Sequence, residues 1–543
     1  MENKPLNILG VSHPYSWNNA ACLLMDGNLV AFAEEERFTR IKYAPNTPAI
    51  KAIDYCLKEG GITMEDIDYI CIGFDSVWSS IWGNLFIQSP RYSYHKIKKN
   101  FFSIRSGNRK LPFDVKDRRV IFVNHHDAHI ASSFYLSGFE SSNIISFDGA
   151  GGGEAGKIGY GSGTKIDIFK RISNEGSWGR MYEAVTGLLG FKPHGDEGKV
   201  MGLSSFGVSS GDFNFINYYL DIPEIDGYKF KQFLKTIRPR LKDEPLTDYH
   251  KNLAATLQAN LEKVALRITK YLVRKTGNRN LCLSGEVALN CAMNGKLLQS
   301  GLIDNIFVQP ISSDAGTALG AAVHVYVEKN KKRPDILFDN LYLGPKYTND
   351  QIKTILDNFN LKYSYHEDIA KVGAELLSKN KIVGYFQGKM EAGPRALGGR
   401  SILANPANPS MKDLVNNKVK KREPWRPFAP SILEERASSY ALNYYPSYFM
   451  ILAFMSNPDK VKDIISATHV DGTIRVQGVS KKTNPNYWQL IKEFENLTGI
   501  PAVLNTSFNV AGEPIVCSPE DAIRTFFASG LDCLILENFL IVK

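Results

Sequence analysis

At 543 residues the chain is too long for one ordinary core, so two or three domains are expected. Its 43% hydrophobic and 22% charged residues are the balance of an ordinary globular enzyme. A formal net charge of +9 permits nucleic-acid binding without demanding it, and suits anionic small substrates such as nucleotides equally well.

The N-terminus runs from Met1 into an apolar strand without the long apolar core of a signal peptide. The longest mainly apolar stretch, Ala315 to Val327, is shorter than a membrane span and is interrupted by Thr317 and Gly320. Seven cysteines, an odd number with no C-x-x-C or finger spacing, read as reduced buried thiols, not as a disulfide frame or zinc site. A soluble cytoplasmic protein is expected.

Leu6 to Val11 predicts a strand, followed by a polar loop from Ser12 to Asn19, a strand Ala20 to Met25, a hairpin turn at Asp26-Gly27-Asn28 and a strand Leu29 to Ala33. A related arrangement recurs later. Asn143 to Phe147 is apolar, Asp148 to Gly153 forms a Gly-rich turn carrying Gly149 and Gly151, and Ile158 to Ile168 resumes as strand. Two copies of strand, turn and strand point to a duplicated, actin-like half that holds phosphate between its two turns. Helix is expected from Leu246 to Lys275. Short strands at Leu281 to Leu283 and Ile306 to Gln309 each lead into a turn, at Ser284-Gly285-Glu286 and at Ser312 to Gly316. Such turns, opening helices, are where α/β folds bind anions. The charged break Glu328 to Pro334 and the turns near Gly344 place a domain boundary near residue 340, dividing the chain into 1–340 and 341–543. The second part mixes helix 367–379, strand 382–386, a Gly/Pro/Arg loop and a closing strand Leu534 to Val542.

Four segments carry chemistry. In Asn124 to His129 (NHHDAH), His125 and His129 stand four apart, so on a helix both imidazoles reach one metal ion. Asp148 and Asp314, at strand-to-turn junctions, are suited to complete a site, and such a ligand set suits iron, manganese or zinc. The alternative is a polar helix N-terminus with one capping histidine; His126 reads as an exposed or supporting neighbour. In Phe386 to Ser401, glycines allow close backbone approach while Lys389, Arg395 and Arg400 supply charge to a ligand. Ser410 to Asp413 is a capping-box signature opening a helix toward Lys421, whose Lys418, Lys420, Lys421 and Arg422 alone read as a solvated surface. Arg426, held between Trp425 and Pro427, is a positioned guanidinium of the kind that stabilises a transferring phosphoryl group. Asn505 to Pro514, including Ser507, gathers amides and hydroxyls that can bond adenine, ribose or carbamoyl, or form a simple turn.

Taken in order, these segments resemble the NodU/CmcH-type O-carbamoyltransferases nearly end to end. The resemblance is carried by Glu34 to Arg40 (EEERFTR), Asn124 to His129, Phe147-Asp148-Gly149, Glu197 to Leu203 (EGKVMGL) and Gly285 to Asn290 (GEVALN). It continues through Gly393 to Gly398 (GPRALG), Trp425 to Pro430 (WRPFAP), His469 to Gln477 (HVDGTIRVQ) and Asn505 to Asn509 (NTSFN).

The resemblance implies an actin-like (ASKHA) nucleotide-binding domain followed by a smaller YrdC-like α/β domain. The latter would form carbamoyl-adenylate and pyrophosphate from ATP, with Mg²⁺, and carbamoyl phosphate; the former would pass carbamoyl to a hydroxyl of a small-molecule acceptor. It implies Arg395, Lys420, Arg426, Arg475 and Asn505 as the adenylate-forming site. It makes His125, His129, Asp148 and Asp314 ligands of a metal, with Fe(II) the expectation and zinc or manganese as alternatives. Gly149, Gly151, Gly285, Glu286, Asn290, Asn505 and Ser507 become nucleotide contacts, and His13 a candidate general base. Glu286 stands where the family commonly has glycine, and Lys389 where it usually has arginine. Rival readings are threonylcarbamoyl transfer to tRNA and a silent nucleotide sensor or scaffold. No RNA-binding appendage is legible, so nucleic acid is not expected as a partner; a homodimer is. Specificity loops are expected at Ser76 to Leu111, with its basic aromatic stretch Tyr92 to Arg109, and at Gly207 to Glu244. They carry no readable acceptor code.

Overall fold

The computed structural model describes residues 5–13, 17–75, 111–241 and 244–543, in two compact units, Met1–Phe338 and Asp339–Lys543. The stretch Tyr92 to Arg109 and nearly all of the loop from Ser76 lie outside the described residues.

The first unit repeats one topology twice. Asn7–Val11, Ala20–Met25 and Asn28–Glu34 form an antiparallel meander, and Tyr69–Ile72 then Val120–Phe122 add in parallel on the side of Asn7–Val11. Ser141–Gly151, Glu154–Ser162 and Lys165–Ser173 form the second meander, and Asn280–Ser284 then Asn305–Val308 extend it in the same way. This doubled plan is that of the actin-like nucleotide-binding fold. The run Ile158 to Ile168 is not one strand: Gly163, at φ +55°, opens a tight turn between two antiparallel strands.

The faces of the first sheet are covered because its central strands are apolar on both sides. Leu9, Val11, Ala21 and Leu23 pack with Ile53 and Cys56 of helix Ile50–Gly60. The opposite face receives the small-residue helix Gly316–Asn330, which also packs on helix His125–Phe134. That crossing requires glycine, since a Cβ on Gly320 would lie 1.8 Å from the carbonyl oxygen of Ala128. The close approach brings the segment holding Asp314 to the helix holding His125.

The second unit is an eight-stranded mixed sheet ordered Ser364–Tyr365, Phe539–Val542, Cys533–Leu536, Val383–Phe386, Arg400–Ala404, Ala502–Ser507, Ala429–Leu433 and Gln477–Val479. Alternation sends Leu534, Leu536, Ile402 and Leu504 to one core and Cys533, Ile535, Leu403 and Val503 to the other, so both faces are covered. The expected closing strand is a hairpin, Cys533–Leu536 and Phe539–Val542, turned at Glu537 with φ +46°. The expected capping box at Ser410 does not form. The Ser410 side chain caps nothing, helix Met411–Leu414 lasts one turn, and the backbone continues as a π-helix over Val415–Lys420 ending at Lys421, φ +44°. All seven cysteines are free and buried, and among the described residues no helix is long and apolar enough to cross a membrane.

Candidate metal centre and anion site

Strand Val120–Phe122 hands over to helix His125–Phe134 through Asn124, whose side chain accepts the Asp127 N–H at 3.2 Å as an N-cap. One helical turn then stacks His125 and His129 on the same side. Their Nε2 atoms lie 3.1 Å apart, and Asp148 Oδ2 is 2.9 Å from the first and 3.2 Å from the second. Asp314 Oδ1 lies 3.6 Å from His125 Nε2, and one donor atom from each of the four residues falls within 4.8 Å of the others.

Two nitrogens and two carboxylates converging this tightly are a donor set for a borderline divalent ion, and iron, zinc or manganese all fit it. With protons alone the charges are arranged as an ion pair. Burial would lower the His125 pKa, but the Asp148 hydrogen bond, with Asp314 and Asp75 nearby, holds it up at about 9. Burial would raise Asp148, yet bonds to both imidazoles hold it well below the usual carboxylate range. Asp314 is pushed up to about 7 by burial, with His125 opposing and Asp148 adding. His129, buried beside His125, is lowered.

The surroundings refine several expectations. His126 is not exposed: it is fully buried, its Nδ1 3.4 Å from Ser146 Oγ, and burial with the neighbouring His125 takes its pKa to about 3. His13 is one ring away from the cluster, 4.2 Å centroid to centroid from Phe74, which is 5.3 Å from His125. Burial, then His125, lowers His13 to about 4, so it is neutral at pH 7. Gly151 is the flat surface against which His125 packs, since a Cβ there would meet the ring at 2.1 Å. Gly149 has open space on that side. Gly285 adopts φ +85° with a would-be Cβ 2.0 Å from the Phe147 carbonyl oxygen. Glu286 follows it, accepting at 3.4 Å from Asn18 Nδ2, and burial with Asp314 and Asp148 raises its carboxyl well above the usual range. Asn290 spends its side chain internally, capping Met293 N–H and pairing with the Gln258 amide.

One residue here had no signal in the sequence. Lys157, in mid-strand and 1% exposed, donates from Nζ to Asn124 Oδ1 at 2.8 Å and Asp127 Oδ1 at 2.7 Å, while Asn124 Nδ2 donates to Asp75 at 3.0 Å. It fixes the first turn of the histidine helix from behind.

In the second unit, the π-helix sets the cationic residues. Asn416, buried, accepts from Arg422 Nε at 2.7 Å and donates weakly to the backbone oxygen of Arg426 at 3.4 Å. Arg422 lies over the Phe428 ring at 4.6 Å. Burial, followed by the charges of Arg426 and Arg475, pushes Arg422 down to about 9. Arg426 and Arg475 are thus the positive charges that depress Arg422, three guanidinium groups within electrostatic reach of one another. Arg475 Nε is buried and bonds nothing among the described residues. Lys420 donates to the Ser507 and Asn509 backbone oxygens at 2.8 and 2.9 Å. Asn505, on the adjoining strand, donates to Ala396 O beside Arg395, to Ser431 Oγ and to Gln477 Oε1. Arg400, expected on a ligand, is instead structural: it is fully buried, bonds four backbone carbonyls and stacks over Phe386. Gln477 and Asn416 went unread in the sequence because buried amides look like turn residues.

Two family models cover most of the chain, Carbamoyltransferase N-terminus over residues 7–323 and Carbamoyltransferase C-terminus over 374–543. The protein belongs to the carbamoyltransferase family and is a carbamoyl-transferring enzyme. Nodulation protein NolNO of Sinorhizobium fredii is 36% identical over 99% of this chain and 80% of its own length. Nodulation protein NolO of Bradyrhizobium diazoefficiens is 40% identical over 78% of this chain and 79% of its own. The uncharacterized protein sll1178 of Synechocystis sp. is 35% identical over 99% and 97%. Among solved structures, full-length HypF in its phosphate- and nucleotide-bound form matches at TM-score 0.37 and 16% identity over 59% of this chain and 55% of that one.

Proposed function

We propose that the protein is an ATP-dependent O-carbamoyltransferase working in two half-reactions, with 1–340 as carbamoyl-transfer domain and 341–543 as YrdC-like adenylate-forming domain. In the second unit water attacks the phosphorus of carbamoyl phosphate, the P–O bond breaks and inorganic phosphate leaves, freeing carbamate with both its oxygens. A carbamate oxygen then attacks the α-phosphorus of ATP, and the bond to pyrophosphate breaks. In the first, an acceptor hydroxyl attacks the carbamoyl carbon and AMP leaves. The observation that carries this reading is the gathering of Arg422, Arg426 and Arg475, whose mutual repulsion Glu423 offsets in part and a bound polyanion would relieve further. Arg395 and Lys420 would add charge to the site, and Asn505 and Ser507 would contact the nucleotide from the interior strand Ala502–Ser507.

His125, His129, Asp148 and Asp314 would hold an Fe(II) ion, which when bound supplies Lewis acidity toward a phosphate or carbamoyl oxygen. His13, neutral at pH 7, is placed to take the acceptor's hydroxyl proton. Gly149 leaves room for a ligand beside Asp148, and Glu286 narrows the same side. The acceptor is a hydroxyl-bearing small molecule.

Purified protein given ATP, Mg²⁺ and carbamoyl phosphate should release pyrophosphate, only when all three are present, and Arg426→Ala should abolish it. Pyrophosphate release that ignores carbamoyl phosphate, or survives in the variant, would overturn the assignment.

A further inference from the structure

The long helix Asp248–Thr276 carries Lys263, Arg267, Lys270 and Arg274 at spacings of four, three and four, which puts all four cations on one face. Its outer members are paired from the segment that precedes it in the chain: Asp212 takes Lys263, and Asp221 lies 4.0 Å from Arg274. The inner pair has no such partner. Arg267 and Lys270 make no ion pair among the described residues, nor does Lys296 on the neighbouring helix Cys291–Leu298. Between the two helices runs an open trough of about 550 Å³, with Lys263, Arg267, Lys270 and Lys296 on its sides, Leu266 and Leu302 on its floor, and no carboxylate in its lining.

Beside this stripe the chain from Asp212 to Asp221 turns two apolar side chains to solvent. Tyr218 lies under Lys263, its ring 4.5 Å from the ammonium, while Tyr219 is 100% and Leu220 41% exposed. A fully exposed tyrosine protrudes; it cannot line a groove. Exposed Tyr and Leu, on a segment tied to the same helix as Arg and Lys without ion pairs among the described residues, are the elements of an interfacial membrane contact. The apolar tips enter the headgroup boundary while the cations meet lipid phosphates. An acidic peptide would satisfy the trough but would leave Tyr219 and Leu220 in water.

From this we infer that the face formed by Arg267, Lys270, Lys296, Tyr219 and Leu220 docks on an anionic phospholipid surface, holding the enzyme against the membrane. None of these residues belongs to the metal centre or the anion site, so the inference is independent of the catalytic reading.

Co-sedimentation of the full-length protein with phosphatidylcholine vesicles containing about a third phosphatidylglycerol tests it. The protein should pellet with these vesicles, not with pure phosphatidylcholine, and should be released as salt is raised to ~0.5 M. Lys270→Glu/Lys296→Glu should lower partitioning by at least about tenfold, and Tyr219→Ser/Leu220→Ser should lower it at unchanged charge. Lys270→Arg/Lys296→Arg should retain it. Near-UV circular dichroism of each variant should match the parent, these positions being on the surface. Equal binding to neutral vesicles, undiminished binding by the charge-reversed variant, or binding to poly-glutamate but to no vesicle would each overturn the inference.

Discussion

Replacing Lys157 with methionine removes one ammonium and almost nothing else, since the side chain is 1% exposed and methionine occupies the same channel. The change breaks the contacts to Asp127 Oδ1 at 2.7 Å and Asn124 Oδ1 at 2.8 Å and takes the ammonium from Glu154 Oε2, 3.7 Å away. Breaking a buried ion pair costs about 3–5 kcal/mol when the surviving charge stays dry. Asp127 is 38% exposed and regains water, so the low end, about 3 kcal/mol of unit stability, is expected. Asn124 also loses the contact that holds it over the first turn of the histidine helix. A second-layer change of this kind weakens a metal site by about 10–100-fold. Urea unfolding reads the first quantity, and Fe(II) or Zn²⁺ titration of metal-free protein reads the second. Asn124→Ala combined with Lys157→Met should be less than additive, because both act through one cap. A variant with unchanged metal affinity and unchanged unfolding midpoint would refute the idea that Lys157 positions the helix.

Metal affinity should climb with pH. His125 holds a proton up to about 9 in the metal-free protein, so below that pH a metal must displace it. Between pH 7 and 9 the apparent association constant should rise by about fiftyfold for this one proton, read by competition with a chelator. Gly285→Ala should destabilise the first unit by about 3 kcal/mol, because φ +85° and a Cβ 2.0 Å from Phe147 O leave no room to relax; the denaturation midpoint checks it. Arg475→Gln should leave the unliganded protein at least as stable as the parent, since it removes repulsion from Arg422. The same variant should lose most of the stabilisation that pyrophosphate gives, about 2.7 kcal/mol at a hundredfold excess over Kd, in a melting series with increasing pyrophosphate.

What could be read from the sequence was what local chemistry dictates. The spacing of His125 and His129 places two rings on one helical face whatever surrounds them, and Gly27 marks a turn by its backbone freedom. The doubled meander was visible as two strand–turn–strand patterns, although Ser162-Gly163-Thr164 was passed over inside an otherwise strand-like run. Contacts between distant segments left no such trace. Lys157 lies 33 residues from the Asn124 it holds, and nothing in a β-strand pattern separates an inward lysine from an outward one. His126 sits between two candidate ligands on a helix buried all round, so the sequence could not separate an exposed neighbour from the supporting one that it is. Arg400 looked like a ligand contact because arginine beside glycine is common at phosphate sites; its guanidinium instead bonds the carbonyls of Gln387, Gly388, Gly399 and Pro345 and ties these loops together. Ser410 has the letters of a capping box, but the turn before it is claimed by Asn408, which takes the Ser410 N–H at 3.0 Å.

The most direct test of the account follows an oxygen atom. If carbamate attacks the α-phosphorus and the acceptor later attacks carbon, the bridging oxygen stays with the nucleotide. With carbamoyl phosphate enriched in oxygen-18 at its carbamoyl oxygens, the AMP formed should carry one labelled oxygen on phosphorus. AMP without label, or ADP as the nucleotide product, would contradict an adenylate intermediate.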